Sequence, residues 1–123
     1  MQVFTTKWFD RFARRQRIDA ASLLEAVARI ERGQVDADLG GGVIKQRIAR
    51  PGRGRSGGYR TLVLVRAAEM AVFAYGFAKS DRGNVRADEM DALRVLAGTV
   101  LAYREAEVAR AVGAGELIEV RVG

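Results

Sequence analysis

The chain has 123 residues, 49% of them apolar, which is enough for a buried core and places it outside the disordered class. Its formal net charge is +6, it has 18 arginines against 3 lysines, and it has neither cysteine nor histidine. Those two absences exclude disulfides, thiolate chemistry, Cys/His metal sites and any imidazole acting as base, triad member or ligand. Catalysis, if there is any, falls to Arg, Lys, Tyr, Ser/Thr or carboxylates.

Gln2 to Thr5 predicts a short opening strand. Thr6 follows as the N-cap of a helix to Arg15, with Trp8, Phe9 and Phe12 as core and Arg11, Arg14 and Arg15 in solvent. Asp19 is the expected N-cap of a second helix, Ala20 to Arg32. Its stripe is Leu23, Ala26, Val27 and Ile30, and Gly33 stands at the stop. The pair predicts a helical hairpin lying on a sheet. QVDADLGGG is a loop whose three glycines mark a tight turn or a close backbone approach.

Val43 to Arg50 predicts a strand with Ile44, Gln46 and Ile48 on one face and Val43, Lys45 and Arg47 on the other. Pro51 ends it, PGRGRSGG forms a long hairpin loop, and Tyr59 to Arg66 returns. Met70 to Ala78 is apolar on both faces, as a central strand is, with Phe73, Tyr75, Phe77 and Lys79 expected on one side. After the polar turn KSDRGN, Asp88 is the expected N-cap of a helix from Glu89 to about Tyr103, striped by Leu93, Leu96, Ala97, Val100 and Leu101. A short helix, Glu105 to Val112, stops at Gly113, and ELIEVRV alternates like an edge strand. The order predicts an α+β fold in one domain, residues 1–123. Its core is a compact antiparallel β-meander with an N-terminal helical hairpin and a C-terminal helix.

The charge is concentrated. Leu39 to Ala68 carries Lys45, Arg47, Arg50, Arg53, Arg55, Arg60 and Arg66 and no Asp or Glu, so its +7 exceeds the +6 of the whole chain. Any one of these arginines reads as a solvated surface charge. Together they repel one another, and a polyanion relieves that repulsion. Lys45, Arg47, Arg60, Arg66 and Lys79 are expected to converge on one cupped face of the sheet, with Tyr59 and Tyr75 offering rings for base stacking. That pattern points to nucleic acid.

RNA is also a substrate whose cleavage needs no histidine. Its own 2′-hydroxyl is the nucleophile, and a protein need only align it, move protons and stabilise the charged phosphorane. The carboxylates Asp36, Asp38, Asp81, Asp88, Glu89 and Asp91 read as caps and turn residues, so no metal and no cofactor are expected. No apolar signal core opens the chain and no span of eighteen apolar residues occurs, so the expected location is the cytoplasm, away from membranes.

The runs KWFDRFAR, DLGGGVIKQRIARPGRGRSGGYR and FAYGFAKSDRGN, in that order and followed by a leucine-bearing helix, resemble the RelE/HigB group of bacterial toxins from type II toxin–antitoxin pairs, within a RelE-like subfamily. The resemblance spans nearly the whole chain. It implies a RelE-like, microbial-RNase-type α+β fold and cleavage of mRNA on the translating ribosome. It further implies a cognate antitoxin, and operator DNA contacted only through the toxin–antitoxin complex. Carried over singly, the family's SGYR tyrosine and arginine fall on Tyr59 and Arg60. The paired basic residues of the preceding strand fall on Lys45 and Arg47, or on Arg53 or Arg55 if the longer loop slides the alignment. The lysine after the central strand falls on Lys79.

The catalytic set implied is thus Lys45, Arg47, Arg60 and Lys79, with Arg50, Arg53, Arg55, Tyr59, Arg66, Tyr75, Arg82 and Arg86 as RNA contacts and no metal ligand. The chain departs from the best-known members at Ser80, where they have arginine and Arg82 is the nearest substitute. It departs again at Arg86, where they have a catalytic tyrosine. The HigB-type histidine is missing, with Tyr75 as its candidate replacement. The alternative is a non-catalytic RNA-binding, ribosome-binding or antitoxin-pairing domain on the same fold.

Overall fold

The computed structural model describes residues 1–50 and 54–122, with the backbone alone for 54–56. The elements are β1 (Gln2–Thr6), α1 (Lys7–Gln16), α2 (Ala20–Glu31), β2 (Ala37–Asp38), β3 (Val43–Arg50), β4 (Gly54–Arg66), β5 (Met70–Ala78), α3 (Ala87–Val100), α4 (Glu105–Gly113) and β6 (Leu117–Glu119). They build one six-stranded sheet in the order β2-β3-β4-β5-β1-β6. β3, β4 and β5 form the expected antiparallel meander. β1 runs parallel to β5, however, because the chain returns to this side of the meander only after the whole crossover of helices and strands between them.

The sheet is covered on both faces. Phe9, Phe12 and Ala13 of α1 and Leu23, Ala26 and Val27 of α2 pack with Ile44, Ile48, Tyr59, Val63 and Phe73. On the other face Met90, Leu93, Ala97 and Val100 of α3, with Val108 and Ala111 of α4, pack on Val43, Leu62, Leu64, Val72 and Phe77. The predicted caps are in place: Thr6 Oγ1 accepts from Phe9 N–H at 3.1 Å and the Asp19 carboxylate accepts from Ser22 N–H at 2.8 Å. Each such cap contributes about 1 kcal/mol.

Four local expectations are corrected. β4 begins at Gly54, opposite Arg50, so most of the stretch read as loop is strand. Glycines conceal it, since they carry no alternating side chains, yet Gly58 is required there. A Cβ on it would lie 2.1 Å from the Ile48 carbonyl oxygen, next to the register shift between Ile48 and Arg50. α3 starts at Ala87 with Arg86 as N-cap, not at Glu89 after Asp88. Glu89 instead accepts from the Arg86 backbone N–H at 2.9 Å.

β5 carries a bulge: Leu62 pairs with Tyr75 and Val63 with Phe73, leaving Ala74 unpaired. The alternation therefore flips, so that Phe73 packs with α1 and α2 while Phe77 packs with α3. Finally, the two-residue β2 pairs with β3 and is too short for periodicity to reveal.

The triple glycine serves as expected. Gly40, Gly41 and Gly42 all have positive φ, and a Cβ on Gly42 would meet Leu101 Cδ1 at 2.5 Å. The turn thus lets the C-terminal end of α3 settle against the start of β3.

Candidate functional site

α3 crosses its face of the sheet but does not cover all of it. Its C-terminal end lies over the start of β3 and the end of β4, and its N-terminal end stops near Tyr75. The sheet beyond carries two rows of side chains on that face. Lys45, Leu62 and Tyr75 stand opposite one another across β3, β4 and β5, and Arg47, Arg60 and Phe77 form the next row. With strands about 4.8 Å apart, each row spans about 10 Å. The pairing of Arg47 with Arg60 sets two guanidinium side chains opposite each other on one face.

The rows are braced from below. Gln46, on the far side of β3, donates to the carbonyls of Ala26 at 3.2 Å and Gln34 at 3.1 Å and accepts from Asp36 N–H at 3.2 Å. That fixes Asp36, whose carboxylate accepts from the Arg47 backbone N–H at 2.6 Å and stands 3.5 Å from its guanidinium. Buried Arg29 donates to the Arg47 carbonyl at 2.8 Å. Arg60 is 7% exposed and so is held by its surroundings, whereas Arg47 is exposed. Lys45 Nζ donates to Asn84 Oδ1 at 3.3 Å. Lys79, exposed in the turn just past β5, donates its backbone N–H to the Gly58 carbonyl at 3.0 Å.

Along the rim toward α3 lies a fastened ion pair. Arg82 donates to both Glu89 carboxylate oxygens, at 2.7 and 2.8 Å, and also to the Tyr75 hydroxyl. Tyr75 in turn donates to Glu89 at 2.6 Å. The Arg82 guanidinium lies 4.8 Å from the Phe77 ring centre and 5.5 Å from that of Tyr75. The Arg82 hydrogen bonds, with help from Tyr75, hold the Glu89 carboxyl down to about 2. Burial, with the Glu89 hydrogen bond, pushes the Tyr75 phenol up. Tyr75 therefore keeps its proton and commits it to Glu89, which makes it a poor replacement for a catalytic base. Arg86 is exposed and paired with Asp88 at 3.1 Å.

Three expected RNA contacts lie elsewhere. Tyr59 is 2% exposed on the α1–α2 face, where its hydroxyl donates to the backbone and side-chain oxygens of Gln16 at 3.3 and 3.2 Å. It alternates with Arg60, so the two cannot share a face. Arg50 sits over the Tyr59 ring at 5.8 Å and shares its side. Arg66 is at the far end of β4, where it donates to the carbonyls of Leu101 and Tyr103 at 2.8 Å each and pairs with Glu69 at 3.1 Å. Arg53 and the side chain of Arg55 lie outside the described residues.

The site also holds residues that the sequence reading passed over. Glu89 and Asn84 looked like turn and cap residues. Trp8 was placed in the core, yet it is 37% exposed, with its ring 4.5 Å from that of Tyr75. The signal was there: Trp8 and Phe9 are neighbours, about 100° apart on a helix, and Phe9 takes the buried position.

A family model described as the RelE toxin of the RelE/RelB toxin–antitoxin system matches residues 1–120. No curated protein and no solved structure matches the chain. The α+β architecture, with its mostly antiparallel sheet, agrees with that family.

Proposed function

The chain belongs to the RelE toxin family, the toxin side of a toxin–antitoxin pair, and from that premise we propose that it cleaves ribosome-bound mRNA by metal-independent transesterification. The observation that carries this reading is the cross-strand pair of exposed Arg47 and buried Arg60, flanked by Lys45 in the adjoining row. A scissile phosphate seated over that pair has two guanidiniums at its non-bridging oxygens, where charge grows as the phosphorane forms. The 2′-hydroxyl loses its proton and attacks phosphorus, and the 5′-oxygen leaves with a proton. The products are a 2′,3′-cyclic phosphate and a 5′-hydroxyl. Lys45, in the adjoining row, and Lys79, just past the end of β5, are the residues for proton transfer, since Tyr75 is engaged with Glu89.

The reading extends to partners and place. A cognate antitoxin covers the basic face, operator DNA is contacted only through that complex, and the work is done in the cytoplasm by one domain. Arg86 and the arginines of the β3–β4 hairpin then steer the strand toward the rows. The test is an assay of purified toxin with programmed ribosomes and end-labelled mRNA. Cleavage is expected with cyclic-phosphate and 5′-hydroxyl ends, and it is expected to disappear on adding the product of the neighbouring antitoxin gene. Intact mRNA overturns the proposal, and fragments with 5′-phosphate ends overturn the transesterification.

A further inference from the structure

We infer that Trp8 is a base-stacking residue of the RNA groove, a role that rests on the reading above and specifies how the strand is held beside the reacting phosphate. Exposed large apolar side chains among the described residues are Trp8, Val95, Val112 and Val122, and Trp8 alone of these is aromatic. It stands in the first turn of α1, where β1 has stopped pairing with β5 at Thr5 and Phe73. From Ala74 onward the outer edge of β5 meets α1 instead, with Thr6 Oγ1 donating to the Ala74 carbonyl at 3.2 Å. The indole therefore sits at the rim of the sheet, beside the end of the Lys45–Leu62–Tyr75 row.

The indole is also held in place. It stacks on Phe12 at 5.5 Å with 14° between planes, and Phe12 is buried and meets Tyr59 edge-on at 5.9 Å. Tyr75 lies against it at 4.5 Å, with its hydroxyl fixed by Glu89 and Arg82. A ring braced by two others loses little freedom when a base lands on it, so the ordering cost of binding is low. The row from Lys45 to Tyr75 spans about 10 Å, a distance that one nucleotide's phosphate, sugar and base can bridge. Cations at one end and a fixed indole at the other form a groove for a single strand, with stacking that tolerates any base.

Trp8 is the single tryptophan of the chain, so its emission reports on this site alone. The experiment titrates the wild-type protein with a fluorescently labelled 2′-O-methyl oligoribonucleotide, which cannot be cleaved, following label anisotropy and indole emission together, with inorganic polyphosphate as the base-free control. The expected result is quenching that tracks anisotropy with the oligonucleotide, and no quenching with polyphosphate. Trp8→Phe keeps the affinity within about threefold, and Trp8→Ala lowers it about tenfold or more and raises KM more than it lowers kcat. Binding of the oligonucleotide with unchanged emission overturns the inference while leaving the nuclease reading in place. So does a Trp8→Ala variant with wild-type circular dichroism and weakened affinity for the antitoxin alone, which would make the indole a protein contact. No anisotropy change at all brings down the RNA reading, and this inference with it.

Discussion

Arg60 and Arg66 lie on the same strand, six residues apart, on the same face of the sheet, yet the proposed function gives them opposite roles. Arg66 lies under the C-terminal end of α3, where it donates to the carbonyl of the C-cap Leu101 and to that of Tyr103 in the link to α4. Arg60 lies toward the other end of the strand, opposite Arg47 and beside Phe77, and is itself buried. The residue type, strand and face are the same; the position along the strand differs. On the proposed function, a run of cations in a sequence divides into those that fasten the fold and those that meet the substrate.

The largest effects come from exchanging these two roles. Arg60→Ala is expected to lower mRNA cleavage by about 10²- to 10³-fold, the usual loss for one donor to a developing oxyanion. Arg66→Ala is expected to leave cleavage within about threefold at low temperature. Its cost is stability: two charge-assisted hydrogen bonds are worth about 3 kcal/mol together, or roughly 10 °C in melting temperature for a chain of this size. Melting curves and single-turnover cleavage of both variants measure the split. A folded Arg66→Ala that has lost activity, or an Arg60→Ala that keeps it, breaks the comparison.

Arg82 sharpens it, because it lies beside the Arg60 row, over Phe77, and is fastened to Glu89. Glu89→Gln is expected to cost about 1–3 kcal/mol, since it leaves the Arg82 charge poorly matched. The pH dependence has a definite sign. The Glu89 carboxyl is held down to about 2, so its stabilising effect is full above the ordinary carboxylate range near 4.5 and fades as pH falls toward 2. The gap in unfolding free energy between wild type and Glu89→Gln should therefore narrow on acidification from pH 6 to pH 3; a constant gap would count against the ion pair as its source. The released Arg82 should also join the strand's contacts, steepening the salt dependence of oligonucleotide binding by about 0.7 in the log–log slope.

How much of this was legible depended on how local each signal was. The caps at Thr6 and Asp19, the two N-terminal helices and the meander follow from patterns within a few residues, and they stand as read. The bulge at Ala74 was not legible, because it inserts one residue into an unbroken apolar run and leaves no polar mark. The first part of β4 was hidden because it is rich in glycine, which otherwise signals a loop, although Gly58 is there for close approach to β3. In the site, Lys45, Arg47 and Arg60 were legible because strand alternation fixes a face. The separation of Arg66 and Arg82 from them was not, since it depends on what α3 brings from residues 82–103.

The smallest expected effect tests that alternation most directly. Tyr59 and Arg60 are neighbours in the SGGYR run, and the strand sends them to opposite faces. Tyr59 buries its ring against Phe12 and donates its hydroxyl to Gln16, so its part is to hold α1 against the sheet. Tyr59→Phe keeps the ring and removes only the hydroxyl, which should cost about 1 kcal/mol and leave cleavage unchanged. Had the tyrosine touched RNA, the same substitution would raise KM or lower kcat without moving the melting temperature. A drop in cleavage of tenfold or more at constant stability would therefore place Tyr59 in the groove and undo the assignment of faces on which Arg60, Arg47 and Lys45 were grouped.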